Sequence, residues 1–293
     1  MVFGLPRLQL VNRVDAEMNM RHLLLLPMCF AAIVTLPMVA QTHKAVAPVV
    51  PTYSQVSFDP TSVRLPPHFM GNDIVRLYEA YKALRAAQKT EFETTDQFRK
   101  RIELAEARLL GNGMKPSTLA FVVPVVSEYD ADAQVLNAGV ECSNPHGVQE
   151  HVLGSIAVRK HKSHRTYVAS NAFGAKITVD ETHTVSFHIG VDNPDDFVID
   201  DAKNLLVASL KSTPEEARRI KGTLSALALC SIERGEETSD DFILEKATFD
   251  NPHEYWEEMQ FLNTNLVAIW FFDSSSGRIY VKVGPRDANT GKQ

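Results

Sequence analysis

The sequence predicts an α+β protein in which an N-terminal helical hairpin packs on a predominantly antiparallel β-sheet, with a second strand–helix–strand layer. Two observations indicate this class. Apolar residues recur at helical spacing up to Gly111, and from Leu119 the chain changes to short, β-branched segments separated by turn-forming residues. Five or six such segments in succession favour antiparallel pairing, because parallel strands would need helical crossovers between them.

The predicted hairpin begins with a helix that Asn72 or Asp73 can cap. Apolar residues at i, i+3, i+4 and i+7 make one stripe, formed by Ile74, Leu77, Tyr78, Tyr81 and Leu84. A second helix starts with a capping box at Thr94 and Gln97, and Gly111 is placed to end it. Its expected buried face consists of Phe98, Ile102, Ala105 and Leu109. We expect the hairpin to cover the sheet, with docking of a partner as the alternative.

The predicted sheet and second layer follow in chain order. The sheet segments are LAFVVPVV, AQVLNAGVE, VLGSIAVR, RTYVAS, AKITVD and TVSFHIGV. A helix capped by Thr213, with Pro214 at its first position, then precedes further strand-like segments. The last of these turns through SSSG into RIYVKVG, and we expect Gly277 to supply a positive φ in that hairpin.

The segment MRHLLLLPMCFAAIVTLPMVAQ, from Met20, has the layout of a secretory signal peptide. A short basic flank precedes an uncharged apolar run and then small residues, with a plausible cut after Ala40. The run is also long enough to span a bilayer, so retention as a membrane anchor is the alternative, although Pro27 and Pro37 disfavour a continuous helix. We therefore expect a periplasmic or secreted protein with a cleaved signal.

These features divide the chain into five parts. We expect a leader and signal peptide over residues 1–40, with translation starting at Met18 or Met20, and a Pro-rich tether over 41–70. The remaining parts are the helical hairpin and antiparallel sheet over 71–191, the second layer and C-terminal hairpin over 192–284, and a loose tail over 285–293.

The charge balance limits the classes of partner. The chain has a formal net charge of −6, so it lacks the dense positive field that binding to phosphate backbones requires. We expect no nucleic acid partner, and a membrane contact only if the signal is retained as an anchor. An envelope component or another protein remains as the expected partner.

Two cysteines lie outside the signal segment, Cys142 and Cys230. An oxidising compartment would favour a disulfide between them, and closing that loop would stabilise the fold by about 4–5 kcal/mol in the chain-entropy model. Two separate buried thiols are the alternative, since spacing alone does not define pairing.

Histidines are concentrated in one segment, which contains His146, His151, His161, His164, His183 and His188. Imidazoles are good zinc or copper ligands, and His161 with His164 in a turn would be the best metal-binding pair. Their odd separation argues against a metal, because on a regular strand the two would point to opposite faces. We prefer a basic exposed hairpin tip, RKHKSHR, which could contact an acidic partner.

Other motifs for chemistry are weak. Asp130, Asp132, Gln134 and Glu141 have the spacing of a calcium loop, but Val135 stands where that loop needs glycine. The remaining acidic clusters lie among turn-forming residues and read as solvated loops. No nucleophile elbow, phosphate loop or dinucleotide fingerprint occurs. We therefore predict no catalytic residue, no cofactor and no metal.

Four motifs resemble those of a family of exported bacterial proteins of uncharacterised function. They are FETTDQFRKR, YDADAQV, SNAFGAKITV and IWFFDSSSGRIYVKV, and they span roughly residues 85–284. The resemblance implies a bacterial origin and export, and carries over no reaction or catalytic residue. The expected function is a non-catalytic binding or accessory domain of the cell envelope. The alternative is a periplasmic hydrolase or metal-dependent enzyme that uses the histidine-rich segment 146–188.

Overall fold

A computed structural model describes residues 52–111, 113–143, 153–200, 202–232 and 237–286. Of the described residues, 49% are in strands and 19% in helices. The protein is mostly β, with a large curled mixed sheet, a second sheet and, in the described ranges, three helices. The predicted α+β class with an N-terminal helical hairpin over an antiparallel sheet is therefore wrong.

The helices are α1 (Ile74–Arg85), α2 (Thr95–Leu110) and α3 (Pro214–Lys221). The strands are β1 (Leu119–Val123), β2 (Val126–Asp130), β3 (Val135–Glu141), β4 (Gly154–Ser170), β5 (Lys176–Val191), β6 (Ile199–Asp200), β7 (Leu205–Lys211), β8 (Leu224–Ser231), β9 (Thr238–Glu245), β10 (His253–Asp273) and β11 (Ile279–Val283).

The main sheet is built around β10. Its strand order is β1-β8-β10-β5-β4, and β9 and β11 also pair with β10. The first half of β10 lies between β5 and β9, and its second half lies between β8 and β11. This sheet crosses the boundary predicted at residues 191 and 192, because strands from both sides of it hydrogen-bond to each other.

One pairing in the main sheet is parallel, which the sequence did not indicate. β10 and β5 pair in parallel from His253 opposite Asp180 to Thr264 opposite Val191. A parallel pair needs a long crossover, and here the connection contains β6 to β9 together with α3. The predicted second layer does not exist as such, since β7 belongs to the second sheet and β8 to the main sheet.

The second sheet has the order β2-β3-β7-β6 and is antiparallel. It shares one hydrophobic core with the main sheet. That core contains Ala138 and Val140 from β3, Leu206 from β7, and Ile269 and Phe271 from β10. The two sheets are therefore packed against each other.

Helices α1 and α2 form at the predicted residues, but only α1 packs its apolar stripe on the sheet, so the two do not make the predicted two-helix layer. Asp73 caps α1, and Thr94 with Gln97 forms the predicted capping box of α2. α1 buries its apolar stripe, whereas α2 buries only Glu106 and Leu110. Of the face predicted for α2, Phe98 and Ile102 line a groove beside α1 and Leu109 is 37% exposed, so α2 does not bury this face on the sheet.

The Pro-rich segment predicted as a tether packs on the main sheet over its described part, residues 52–70. We call residues 52–72 the strap. Leu65 donates its N–H to the carbonyl of Gly277 at 2.8 Å and is buried in a second apolar cluster with Trp270. Phe58 packs edge-to-face on Trp270, with ring centroids 5.3 Å apart. Gly277 has φ +73°, as predicted, and a Cβ there would lie 1.8 Å from the carbonyl oxygen of Leu65.

The chain divides into two compact units, and residues 168–177 are the described part of one of them. Its described residues form the turn between β4 and β5. Asn171 holds this turn, because its side-chain oxygen accepts the N–H groups of Phe173 and Ala175, each at 3.0 Å. Phe173 is 95% exposed at the tip.

Both cysteines are buried and free, so the disulfide between Cys142 and Cys230 is not formed in this structure. Burial raises the pKa of Cys142 to about 11 and that of Cys230 to about 12. Within the described residues, no helix has the length and apolarity that crossing a membrane would need.

Candidate binding surface

A row of aromatic side chains crosses three neighbouring strands at the end of the main sheet where β10 begins. Trp256 on β10 lies directly opposite His183 on β5. Its ring packs edge-to-face with Phe242 of β9 at 5.1 Å between centroids, and with His183 at 5.9 Å. We call Phe242, Trp256 and His183 the aromatic row.

The aromatic row lies on the same sheet face as α1, beyond the part that α1 covers. Side chains alternate between the two faces of a strand, so Phe187 shares the face of His183. Phe187 packs against Tyr78 of α1 with ring centroids 5.7 Å apart. Phe242, further out, is 49% exposed. The helix thus leaves one end of this face accessible.

Carboxylates surround the aromatic row. The Glu258 carboxylate lies 3.2 Å from Nε2 of His183, and Glu254 accepts a hydrogen bond of 2.8 Å from the Tyr167 hydroxyl. Burial, then the bond to Glu254, raises the pKa of Tyr167 to about 12, so this hydroxyl stays a donor at neutral pH. Asp240 lies at the boundary with α1. These groups give the surface an apolar centre and an acidic rim.

The boundary between α1 and the aromatic row is fixed by a polar contact. The Tyr78 hydroxyl donates to Asp240 and accepts a bond of 2.8 Å from Nζ of Lys82. Lys82 also lies 3.3 Å from the Asp240 carboxylate. Burial, then the bond to Asp240, raises the pKa of Tyr78 to about 12. The end of α1 is therefore anchored, and the accessible part of the face has a defined edge.

One polar atom of the aromatic row lacks a partner. The indole nitrogen Nε1 of Trp256 is buried and has no hydrogen-bond partner among the described residues. A buried donor without an acceptor costs about 1–3 kcal/mol. The fold therefore holds Trp256 in this position at a cost to its own stability.

The opposite face of the same strands carries a buried polar network. His188 joins two serines, with 2.9 Å from Nδ1 to Oγ of Ser155 and 2.9 Å from Nε2 to Oγ of Ser186. Ser186 donates to Glu257 at 3.4 Å, and Glu257 also accepts a bond of 3.0 Å from Lys160. The network therefore runs from the core to the surface.

Electrostatics keep the His188 network in one protonation state. Burial lowers the pKa of His188 to about 4, so the imidazole is neutral at pH 7. Burial alone would raise the pKa of Glu257, but hydrogen bonds from Tyr255 and Lys160 outweigh it and lower that pKa. Glu257 is thus an acceptor of hydrogen bonds at neutral pH.

The Ser–His contacts in this network do not make an accessible nucleophile. A serine that attacks a substrate needs a base within hydrogen-bond reach and a route for the substrate. His188 supplies the first condition. Ser155 is only 4% exposed and Ser186 is fully buried. The network is placed to stabilise the sheet, and a hydrolase gains no support from it.

The histidines considered as metal ligands from the sequence are not brought together at one site. His161 and His164 are exposed residues within β4, so the predicted hairpin tip RKHKSHR is a strand, and the actual turn lies at 171–175. Their odd separation places them on opposite faces. His146 and His151 lie outside the described residues. Among the described residues, no group of three or more histidines, cysteines or carboxylates is placed to hold a metal.

The calcium-like spacing corresponds to a β-hairpin. Asp130 ends β2, and its Oδ1 accepts the N–H groups of Asp132 and Ala133 at 3.0 and 2.9 Å. Gln134 follows with φ 53°, and Glu141 lies at the far end of β3. The four oxygen-bearing side chains are therefore not brought together.

A groove of about 440 Å³ lies between α1 and α2. Leu84, Phe98 and Ile102 line it, and Glu106 accepts a hydrogen bond of 2.9 Å from the Tyr81 hydroxyl. Its carboxylates already have interaction partners, and these include Glu103, Glu106 and Glu237. The groove thus offers an apolar wall without an unoccupied polar group to orient a ligand.

Comparison with known proteins assigns no function to this surface. No family model, no curated protein and no solved structure matches this chain.

Proposed function

We propose that this chain is an exported bacterial protein of the cell envelope whose folded part is a non-catalytic binding or accessory domain. The observation that carries the proposal is the aromatic row, with Phe242 49% exposed beside the half-buried Trp256. Tryptophan and other aromatic residues in partly desolvated positions are the usual energetic centres of protein interfaces. The partner would be another protein or an envelope component that contacts this row.

Two properties of the surface support binding. Trp256 is wedged between Phe242 and His183, so it presents a fixed shape and loses little side-chain entropy on binding. The carboxylates of Glu254 and Glu258 provide the polar rim that surrounds the apolar centre of an interface. The alternative of a hydrolase or metal-dependent enzyme built on residues 146–188 has less support, because the buried serines give a substrate no access.

Site-specific photo-crosslinking in the source cells tests the proposed surface. A photoreactive phenylalanine analogue replaces Phe242, and in a matched variant it replaces Phe92, which is 91% exposed in the loop between α1 and α2. We expect a discrete adduct from position 242 that is absent from position 92 and lost when Trp256→Ala is added. Equal adducts from both positions would contradict the proposed surface.

A second measurement tests the non-catalytic part of the proposal. The purified mature protein is assayed against a broad panel of esters, amides, phosphoesters and glycosides. Turnover that is lost in Ser155→Ala or His188→Ala would overturn the proposal in favour of a hydrolase. These substitutions remove the two groups in Ser–His contact.

Export is tested separately from binding. Intact mass of the native protein from fractionated cells should show a species that starts near Gln41 in the periplasmic or secreted fraction. A cytoplasmic species that retains residues 20–40 would contradict export. Alkylation of the same sample before and after reduction reports whether Cys142 and Cys230 pair in cells.

A further inference from the structure

Strand β9 is an edge strand, since β10 is its one neighbour in the described part of the sheet. The ladder leaves the backbone groups of alternate residues pointing outward. The carbonyl of Glu237 accepts the N–H of Asn263, and backbone bonds to β10 then recur at every second residue. The N–H and C=O groups of odd-numbered residues of β9 therefore point towards β10. The N–H and C=O groups of Asp240, Phe242 and Leu244 therefore point away from the sheet.

Helix α1 covers one end of this edge and leaves the other open. The Arg85 guanidinium donates to the carbonyl oxygen of Thr238, and Lys82 lies 3.3 Å from the Asp240 carboxylate. Beyond Asp240, the one described hydrogen bond to an outward group is local, from the N–H of Phe242 to Oδ1 of Asp241 at 2.7 Å. The open part of the edge runs from Asp240 to Glu245.

The side chains of the open edge combine apolar and acidic character. Phe242 is 49% exposed on the face of the aromatic row, and Ile243 is 37% exposed on the opposite face. Asp240 and Asp241 precede this pair, and Glu245 follows it. An incoming strand would therefore meet apolar side chains at its centre and carboxylates towards its ends.

This charge pattern argues against a second copy of the chain as the occupant. An antiparallel copy with Ile243 opposite itself would set Asp241 opposite Glu245, and like charges directly opposite each other are destabilising. With Phe242 opposite itself, Asp241 would face Ile243 and gain no counter-charge. A strand with basic residues opposite the carboxylates would neutralise their charge. Its remaining side chains could pack on Phe242 and Ile243.

We propose that β9 binds an extended basic segment of a partner protein, which adds to the sheet as an antiparallel strand. Addition of a strand to a sheet edge is a known mode of peptide recognition, with backbone hydrogen bonds giving affinity and alternate side chains giving selectivity. The inference rests on the proposed function and specifies its partner. Side chains of the added strand would lie beside Phe242 and extend the aromatic row.

The probe is the synthetic peptide TKVTVKKT, with blocked ends and a fluorescent label. In the antiparallel register its lysines lie opposite Glu245, Asp241 and Asp240, and its valines lie opposite Leu244 and Phe242. The matched peptide TEVTVEET has the same apolar residues and the opposite charge. Binding of both to the full mature protein is followed by fluorescence anisotropy at low and high salt.

Amide hydrogen exchange of the complex reports the mode of binding. We expect the lysine peptide to bind at least tenfold more tightly than the glutamate peptide and to slow exchange at the outward amides of Asp240 and Leu244. Asp241→Lys combined with Glu245→Lys should weaken that binding at least tenfold. Glu128→Lys combined with Asp132→Lys, at two exposed residues of the β2–β3 hairpin, makes the same change in net charge and should leave the binding unchanged.

Several outcomes would overturn the inference. These are equal binding of the two peptides, no binding of either, binding without slower exchange at Asp240 and Leu244, or concentration-dependent dimerisation through β9. If the position 242 crosslink still forms in cells, such a result removes strand addition and leaves the proposed function standing. If that crosslink is absent as well, both proposals fail.

Discussion

The two halves of β10 contrast, and the two tryptophans of the chain mark the difference. Trp270 in the second half is 3% exposed, with Phe58 packed on its ring and Nζ of Lys282 3.5 Å from the ring centroid. Trp256 in the first half is half-buried and belongs to the aromatic row. One strand thus contributes to a core at one end and to an accessible surface at the other.

The difference follows from what covers each half. The second half has apolar layers on both faces, because Ile269 and Phe271 point into the core shared by the two sheets while Trp270 and Phe272 point towards the strap. On the face of the aromatic row, the first half is covered only in part, by α1. Binding surfaces are more easily built where the fold does not depend on complete burial.

The largest effect is expected at Trp270. Trp270→Ala removes a buried indole from beneath the strap, and truncation of such a residue costs about 3–5 kcal/mol. The free energy of unfolding, measured by urea denaturation with circular dichroism, should fall by that amount. A loss below about 1 kcal/mol would show that the second half of β10 is not the rigid part of the strand.

The next effect concerns the contact between the strap and the β10–β11 turn. Gly277→Ala places a Cβ against the carbonyl oxygen of Leu65 at a residue with φ +73°. We expect a loss of about 2–3 kcal/mol and faster proteolysis within residues 52–70, because backbone strain and displacement of the strap add.

Gly284→Ala is the control for this substitution. A Cβ at Gly284 meets no atom within 4 Å, so its effect should stay within about 0.5 kcal/mol. Equal proteolysis of the strap in the two variants would contradict the role assigned to Gly277.

A pH effect should distinguish the polar first half from the apolar second half. His188, which packs on Phe261, has a pKa near 4 in the folded protein, against about 6.5 in an unfolded chain. The unfolded chain therefore takes up a proton first as the pH falls, and stability drops by about 2 kcal/mol between pH 7 and pH 5.

Denaturation at each pH, in wild type and in His188→Gln, measures this contribution. The variant should lose most of the pH dependence, since glutamine does not titrate and can still hydrogen-bond to the serines. His253→Gln, at a side chain that is 68% exposed, should retain it. An unchanged slope in His188→Gln would mean that the imidazole is not the group that titrates.

The smallest effect on stability is expected at Trp256. Trp256→Ala should lower the free energy of unfolding by about 1 kcal/mol, because the side chain is half-buried and its indole nitrogen makes no hydrogen bond within the described residues. The same substitution should abolish the crosslink from position 242. A loss as large as that of Trp270→Ala would erase the contrast between the two halves.

Local features of this fold could be predicted from sequence. The capping box at Thr94 and Gln97, the cap at Thr213 and the positive φ of Gly277 are confirmed. Each depends on a few neighbouring residues and a known backbone geometry. Such local signals can be read from the sequence without knowledge of the tertiary structure.

Long-range features could not be predicted in this way. The parallel pairing of β5 with β10 joins residues such as His183 and Trp256, and no local pattern indicates it. The first half of β10 also carries Glu254, Glu257 and Glu258, and glutamate disfavours strands. The aromatic row could not be predicted, because in YWEEMQ two adjacent aromatic residues precede two adjacent glutamates, and this order shows no strand period.

The late position of β10 in the chain has a consequence for biosynthesis. β10 follows β1 to β9, yet it is the strand on which β5, β8, β9 and β11 assemble. A ribosome delivers the chain from its N-terminus, so β5, β8 and β9 emerge before the strand with which they pair, and long-range pairing is slow to form. The main sheet therefore cannot be completed until synthesis has passed residue 273, the end of β10. For a protein that we propose to be exported, this order of assembly leaves the secretion machinery time to act before the sheet closes.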